Sequence, residues 1–256
     1  MKFILPALIT TLFVSCSAPK EKDDLERQNL EGNIIKVTYR NYDAVEKFGE
    51  VSKGRLSNSD EQDINENGNI SKSIYTSFYD HADDSIPGIK KNNDVFVTLS
   101  KFNNKNQRIS VIDTKDNNVE ASFVYNEDGK VIESNDYDEG KLSDKTKFSF
   151  TDGHLSESKK YKADGSLETV TKYKLNDDES ILESRVLSPD GVYKNHAVYS
   201  YQGKLLTGYK VYSDKKLAFT VKMEYPKFDD KNNWIVKYTY YDNKIKSITE
   251  RQITYK

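Results

Sequence analysis

Cysteine is almost absent from this chain of 256 residues: there is one, at position 16. Neither a disulfide framework nor a thiolate zinc site can be built from it. Histidine is nearly as scarce. His81, His154 and His196 lie far apart. They lack the H-x-x-x-H or H-E-x-x-H spacing that puts two imidazoles on one helix face, so none is read as a metal ligand or general base. Charge of one sign is missing too, since 39 Lys and Arg meet 41 Asp and Glu. Without a basic excess no nucleic-acid partner is expected. No Gly-x-Ser-x-Gly, P-loop or dinucleotide-binding fingerprint occurs, so neither enzymatic activity nor a cofactor is expected. The acidic turns Asp177-Asp178-Glu179 and Asp229-Asp230 lack the alternating carboxylates and closing Glu of a calcium loop. They read as turn chemistry, and no metal is expected.

What the chain does have begins at residue 1. Lys2 supplies a short positive region, and Phe3 to Val14 form an apolar to neutral run of signal-peptide length. That run is too short to span a bilayer, which takes about 20 residues. Phe13-Val14-Ser15-Cys16 resembles the bacterial lipobox, in which the cysteine is acylated and becomes the mature N-terminus. Residues 1–15 are therefore expected to be a signal peptide and Cys16 a lipidation site. Residues 16–32 are expected to be the lipidated N-terminus and a charged, solvated tether, with frayed helix in its second half. Stable anchoring needs more than one acyl chain, each buried methylene contributing about 0.8 kcal/mol. Cys16 is not followed by Asp, which by analogy with inner-membrane retention favours the outer membrane over the inner.

From about residue 100, bends recur every 11 to 14 residues or so: Asp128-Gly129, Glu139-Gly140, Asp152-Gly153, Asp164-Gly165, Asp190-Gly191, Gln202-Gly203, Asp214-Lys215 and Asp242-Asn243. Apolar and polar residues alternate between them. This pattern predicts short antiparallel strands joined by tight turns, in which Gly or Asn supplies the positive φ. Alternate turns align into units of about 25 residues, five of them clear, with two degenerate units ahead at Asn67-Gly68 and Phe102-Asn103. Aromatic residues before a turn face aliphatic ones after it, and such cross-strand pairs contribute roughly 0.2–1 kcal/mol each. Single hairpins are marginal, so neighbours must share apolar surface. Asp43 to Lys53 is expected to hold one short turn, and Gly54 to Gln62 a loop.

Tyr42-Asp43-Ala44-Val45-Glu46-Lys47-Phe48-Gly49-Glu50-Val51, the Asp-Gly repeats, Asn233-Trp234-Ile235 and Ser247-Ile248-Thr249-Glu250-Arg251-Gln252-Ile253 together resemble bacterial YD-repeat lipoproteins of the Bacteroidota, distantly similar to RHS-repeat proteins. Most units lack the Tyr-Asp pair, and only one keeps Asn-Trp. The resemblance implies an extended antiparallel β architecture in the cell envelope and no established enzymatic activity. Asp84-Ser85-Ile86 resembles the short O-glycosylation sequon of Bacteroidota envelope proteins, which makes Ser85 a candidate modification site.

The expected fold is thus all-β: residues 33–256 as one domain of consecutive antiparallel hairpins, forming a single elongated, twisted open sheet. Tyr199, Tyr201, Tyr209, Tyr212, Tyr238, Tyr240 and Trp234 form the candidate aromatic binding face, with cross-strand packing as their alternative role. The expected function is that of a non-catalytic envelope lipoprotein, held to the membrane by its lipid and contacting an envelope protein or glycan. The alternative is a periplasmic carrier that encloses an apolar ligand in a curved sheet.

Overall fold

Alternation between bends folds as antiparallel strands throughout. The computed structural model describes residues 22–79, 93–177 and 179–256. Cys16, His81 and Ser85 lie outside the described residues. A one-turn helix, α1 (Asp24–Arg27), precedes sixteen strands. The first eight are β1 (Ile34–Lys47), β2 (Glu50–Ile64), β3 (Ile70–Phe78), β4 (Asn93–Phe102), β5 (Arg108–Asp113), β6 (Val119–Tyr125), β7 (Val131–Asp138) and β8 (Lys141–Thr151). The rest are β9 (His154–Lys162), β10 (Leu167–Leu175), β11 (Ile181–Leu187), β12 (Tyr193–Gln202), β13 (Leu205–Ser213), β14 (Lys216–Phe228), β15 (Trp234–Tyr241) and β16 (Lys244–Tyr255). The segment from Asp43 to Gln62, expected as turn and loop, is instead the long β1–β2 hairpin, bent at Phe48-Gly49 and loosened by register shifts at Tyr42.

The hairpins are as expected, but the open sheet is not. Each strand pairs with its sequence neighbours, and β1 also pairs with β16, closing a sixteen-stranded antiparallel barrel. Tyr39 of β1 stands opposite Asp60 on one side and Arg251 on the other. The open elongated sheet is therefore corrected to a barrel with no free edge. Closure rests on a pairing between the two ends of the domain, which no local sequence pattern announces.

Two kinds of turn set the strand ends. Asp152-Gly153 is a two-residue turn with φ of 51° and 80°, the geometry whose twist suits a hairpin and which Asn, Asp and Gly tolerate. Five-residue loops begin at Asn65, Asn103, Asn126, Asn176 and Asp229. In each, the first side-chain oxygen accepts the N–H of the fifth residue, at 2.8–3.0 Å. Their fourth residues, Gly68, Asn106, Gly129, Glu179 and Asn232, all have positive φ, and a register shift follows each loop in the neighbouring pair. By strand direction, these five loops and the turns at 152–153 and 203–204 lie at one end of the barrel.

That end is sealed. Within the stretch read as tether, residues 23–31 are held against the barrel. Asp23 caps α1, accepting the N–H of Glu26 at 2.9 Å, while the Glu26 carboxylate accepts the Asp23 N–H at 3.0 Å. The buried Asp24 carboxylate accepts from the Ile70 N–H at 2.7 Å and pairs with Arg108 of β5. Five residues on, Asn29 Nδ2 donates to the Lys204 carbonyl at 3.1 Å. β5 and β13 lie on opposite sides of a sixteen-stranded wall. So short a segment can join them only across the barrel mouth, and its side of the wall is the inside. Asn233, fully buried, completes the seal: its Oδ1 accepts the Glu31 N–H at 2.7 Å and its Nδ2 donates to the Glu31 carbonyl at 2.9 Å. Leu25, Leu30, Ile34, Val37 and Ile64 pack together beneath it, with Tyr39 and Ile253 alongside.

Candidate functional site

Knowing the inside assigns every strand face, because side chains alternate and paired residues share a face. The outward ladder through Glu157, Lys172, Arg185, His196 and Tyr212 is charged or polar, at mid-strand in β9 to β11 and nearer the strand ends in β12 and β13. Outward ion pairs continue around the wall: Lys36 with Glu61 at 3.0 Å, Lys145 with Glu133 at 3.1 Å and Lys222 with Glu224 at 2.6 Å. In a lipid-facing wall a mid-depth Arg or Lys costs about 2–4 kcal/mol, and an apolar band would be required. At these positions the outer wall suits water, while Val95, Leu99 and Val124 are exposed on the same outward face. No helix among the described residues is long and apolar enough to cross a membrane.

The inner face is more apolar and rich in aromatic rings. Tyr199, Tyr209, Phe219 and Tyr241 follow one another across β12 to β15, with centroid spacings of 5.8, 6.4 and 5.0 Å. Towards the sealed end Tyr201 and Tyr225 turn their hydroxyls into the wall. Tyr201 donates to the Ile181 carbonyl at 3.0 Å and Tyr225 to that of Leu206 at 2.7 Å. Burial pushes the Tyr201 phenol up to about 12. Most inward side chains are only half-buried. Inside a closed wall, such exposure means that they line accessible space rather than a filled core.

The candidate aromatic face thus divides between the two sides. Tyr199, Tyr201, Tyr209 and Trp234 are brought together inside. Tyr212, Tyr238 and Tyr240 point outward, where Tyr212 stacks on His196 at 5.7 Å and the Tyr240 hydroxyl donates to Glu224 at 2.9 Å. Trp234 gets inside through a bulge. Two steps along β15, from Val236 to Trp234, match one step along β14, from Lys227 to Phe228, and such an extra residue re-aims a side chain. The indole then lies 5.7 Å from Tyr225 and 6.2 Å from Tyr39.

Two cations share this indole, and sequence reading missed both. The Arg251 guanidinium stacks on it at 3.7 Å, with Nε donating to the Trp234 carbonyl at 2.8 Å. Lys237 Nζ lies 5.3 Å from the same ring. Desolvation first, and Arg251 second, lower the Lys237 pKa; desolvation also lowers that of Arg251, against Tyr39 and Asp229. The signal available in the sequence was a basic residue at an inward position of the alternation, as in Thr249-x-Arg251-x-Ile253.

Further up the inner wall Asp136 stands opposite Asp144, and Lys160 pairs with Asp144 at 3.3 Å. Desolvation and the facing carboxylate push Asp136 up to about 6. Among the described residues no group of three or more His, Cys, Asp or Glu could hold a metal ion.

No protein-family model matches the chain, and no curated protein matches it. Among solved structures, a porin-like protein from Bacteroides uniformis superposes with a TM-score of 0.59 at 10% identity, over 86% of this chain and 98% of that one. The likeness shows the barrel fold alone. A porin-like protein from Bacteroides vulgatus (TM-score 0.44, 13% identity, 88% of this chain and 99% of that one) and a Photorhabdus luminescens Tc holotoxin pore chain (0.29, 12% identity, 76% of this chain and 12% of that one) superpose too loosely to carry an argument. The suggested YD-repeat family is not shown by any of these matches.

Proposed function

We propose that this chain is a non-catalytic binding barrel of the cell envelope that holds an apolar or amphipathic molecule in its lumen. The observation that carries the reading is the inward aromatic run from Tyr199 to Tyr241 inside a closed wall, because concave, largely apolar surfaces with a few polar groups suit small ligands. The carrier alternative is thereby preferred to a module that offers a sheet edge, since a closed wall has none. Lipidation at Cys16 would hold the water-facing barrel at a membrane, with the outer membrane as the favoured site. Protein purified from the envelope should yield a stoichiometric apolar compound on organic extraction, identified by mass spectrometry. An empty extract, together with no uptake of an environment-sensitive apolar dye, refutes the reading. Cys16→Ser should release the protein from membranes.

A second reading keeps the outer wall as a contact surface for an envelope protein or glycan. It is favoured by the exposed cation–aromatic stacks, such as Lys222 over Tyr240 at 5.5 Å. Cross-linking in intact envelopes, with and without Tyr240→Ser, tests it.

A further inference from the structure

Arg251 and Lys237 present an electrostatic problem that the protein itself leaves open. Arg251 is 4% exposed, and its Nη2 is buried without a hydrogen-bond partner among the described residues. Lys237 is inward-facing and retains accessible surface, but makes no ion pair among the described residues. The acids nearby are committed elsewhere. Asp60 accepts from Ser73 and Gln62, each at 2.6 Å, and burial raises its pKa, which weakens it as a counter-charge. Asp229 pairs with the Tyr255 hydroxyl and caps its own loop, accepting the N–H of Lys231 at 3.0 Å and of Asn233 at 2.9 Å. Two desolvated cations against one indole, with no carboxylate in ion-pair contact, cost free energy unless something negative arrives.

What surrounds them is not a site for a bare ion. Val221, Met223 and Tyr225 occupy the inner face of the adjacent β14, and Tyr209 and Phe219 continue that surface away from the sealed end. On the basis of the lumen-binding reading, we infer that Lys237, backed by the fixed charge of Arg251, receives the carboxylate or phosphate head of an anionic amphiphile whose apolar chain lies along Val221, Met223, Tyr209 and Phe219. Lys237 makes the contact, because its ammonium reaches accessible space. Arg251, held by Trp234, contributes the field and is a positioning residue.

Trp234 is the only tryptophan of the chain, so its emission reports on this place alone. The test titrates the full chain, stripped of bound lipid, with palmitate, with 1-hexadecanol and with inorganic phosphate. Palmitate is expected to bind at least about tenfold more tightly than the alcohol, phosphate alone only at far higher concentration. Lys237→Met should abolish the preference for the acid over the alcohol, and Arg251→Gln should reduce it several-fold. Lys237→Gln, with circular dichroism and a melting curve, guards against a folding artefact. Equal affinity for acid and alcohol overturns the head-group site and leaves the lumen reading intact. Binding of neither overturns both. Phosphate binding as tight as that of palmitate makes this a site for a free anion and overturns the amphiphile.

Discussion

The two ends of the barrel differ in how their polar groups are held. At the sealed end, Asp24 pairs with Arg108 and Asn233 with the Glu31 backbone, partners from far along the chain, while Arg108 Nε and Arg251 Nη2 are buried with no partner among the described residues. Towards the other end, the inner wall sets two carboxylates face to face, Asp136 and Asp144, with Lys160 half-exposed beside them. Satisfied groups buried in a tight core stabilise through what their removal would expose. Exposed pairs contribute little, since solvent already screens them. The lesson is that stability is concentrated at the seal, whereas the rest of the inner wall keeps polar and aromatic groups accessible.

The sharpest way to break that contrast is at Asp24. Asp24→Ala strands the Arg108 guanidinium and should cost about 3–5 kcal/mol in urea denaturation, whereas Lys160→Met should cost less than about 1 kcal/mol. Equal losses would erase the distinction between the ends. Next comes Asn233→Ala, which leaves the Glu31 N–H and carbonyl unpaired at about 1–3 kcal/mol per unsatisfied group. Amide hydrogen exchange at Glu31 should accelerate with it.

The carboxylate pair predicts a pH dependence of the opposite sign from a salt-bridged acid. The folded pKa of Asp136 lies near 6, above its ordinary value. The folded state therefore binds the extra proton, and the resulting stabilisation is complete below about pH 4 and lost as pH rises through 6. Asp136→Asn should raise stability at pH 7 by on the order of 1 kcal/mol, after allowance for solvent screening, and leave it unchanged at pH 4. A melting curve at each pH checks this. The smallest effect is expected at Lys237→Met, which relieves a desolvated cation beside Arg251 and should raise the melting temperature of the ligand-free protein by a few degrees or less.

Much of the wall was legible because its causes are local. An Asn or Asp that opens a five-residue loop, with Gly, Asn or Glu at its fourth place, contains its own hydrogen bonds, so Asn126-Glu127-Asp128-Gly129-Lys130 can be read without the rest of the molecule. The long β1–β2 hairpin was not legible: Asp43 to Gln62 lacks a steady apolar–polar alternation, its register shifts on both sides of Tyr42, and beyond Asp43 and Asn58 its strands pair only with each other. The aromatic face was half legible. Alternation separates Tyr209 from Tyr212, but a bulge near Trp234 overrides alternation, and the side that faces inward depends on closure. Arg251 and Lys237 look like ordinary surface cations until β16 meets β1.

The turns from about residue 100 on, the strands between them and their nearest-neighbour order follow from the chain itself, because hydrogen bonds within a few residues and a two-residue side-chain period need nothing distant. Closure of the sheet, the seal of one mouth by residues 23–31 and the meeting of Trp234, Arg251 and Lys237 inside belong to the tertiary structure. Those outcomes depend on pairing residues some two hundred positions apart, such as Tyr39 with Arg251 and Glu31 with Asn233, and the free energy of such contacts exists only once the wall between them has formed.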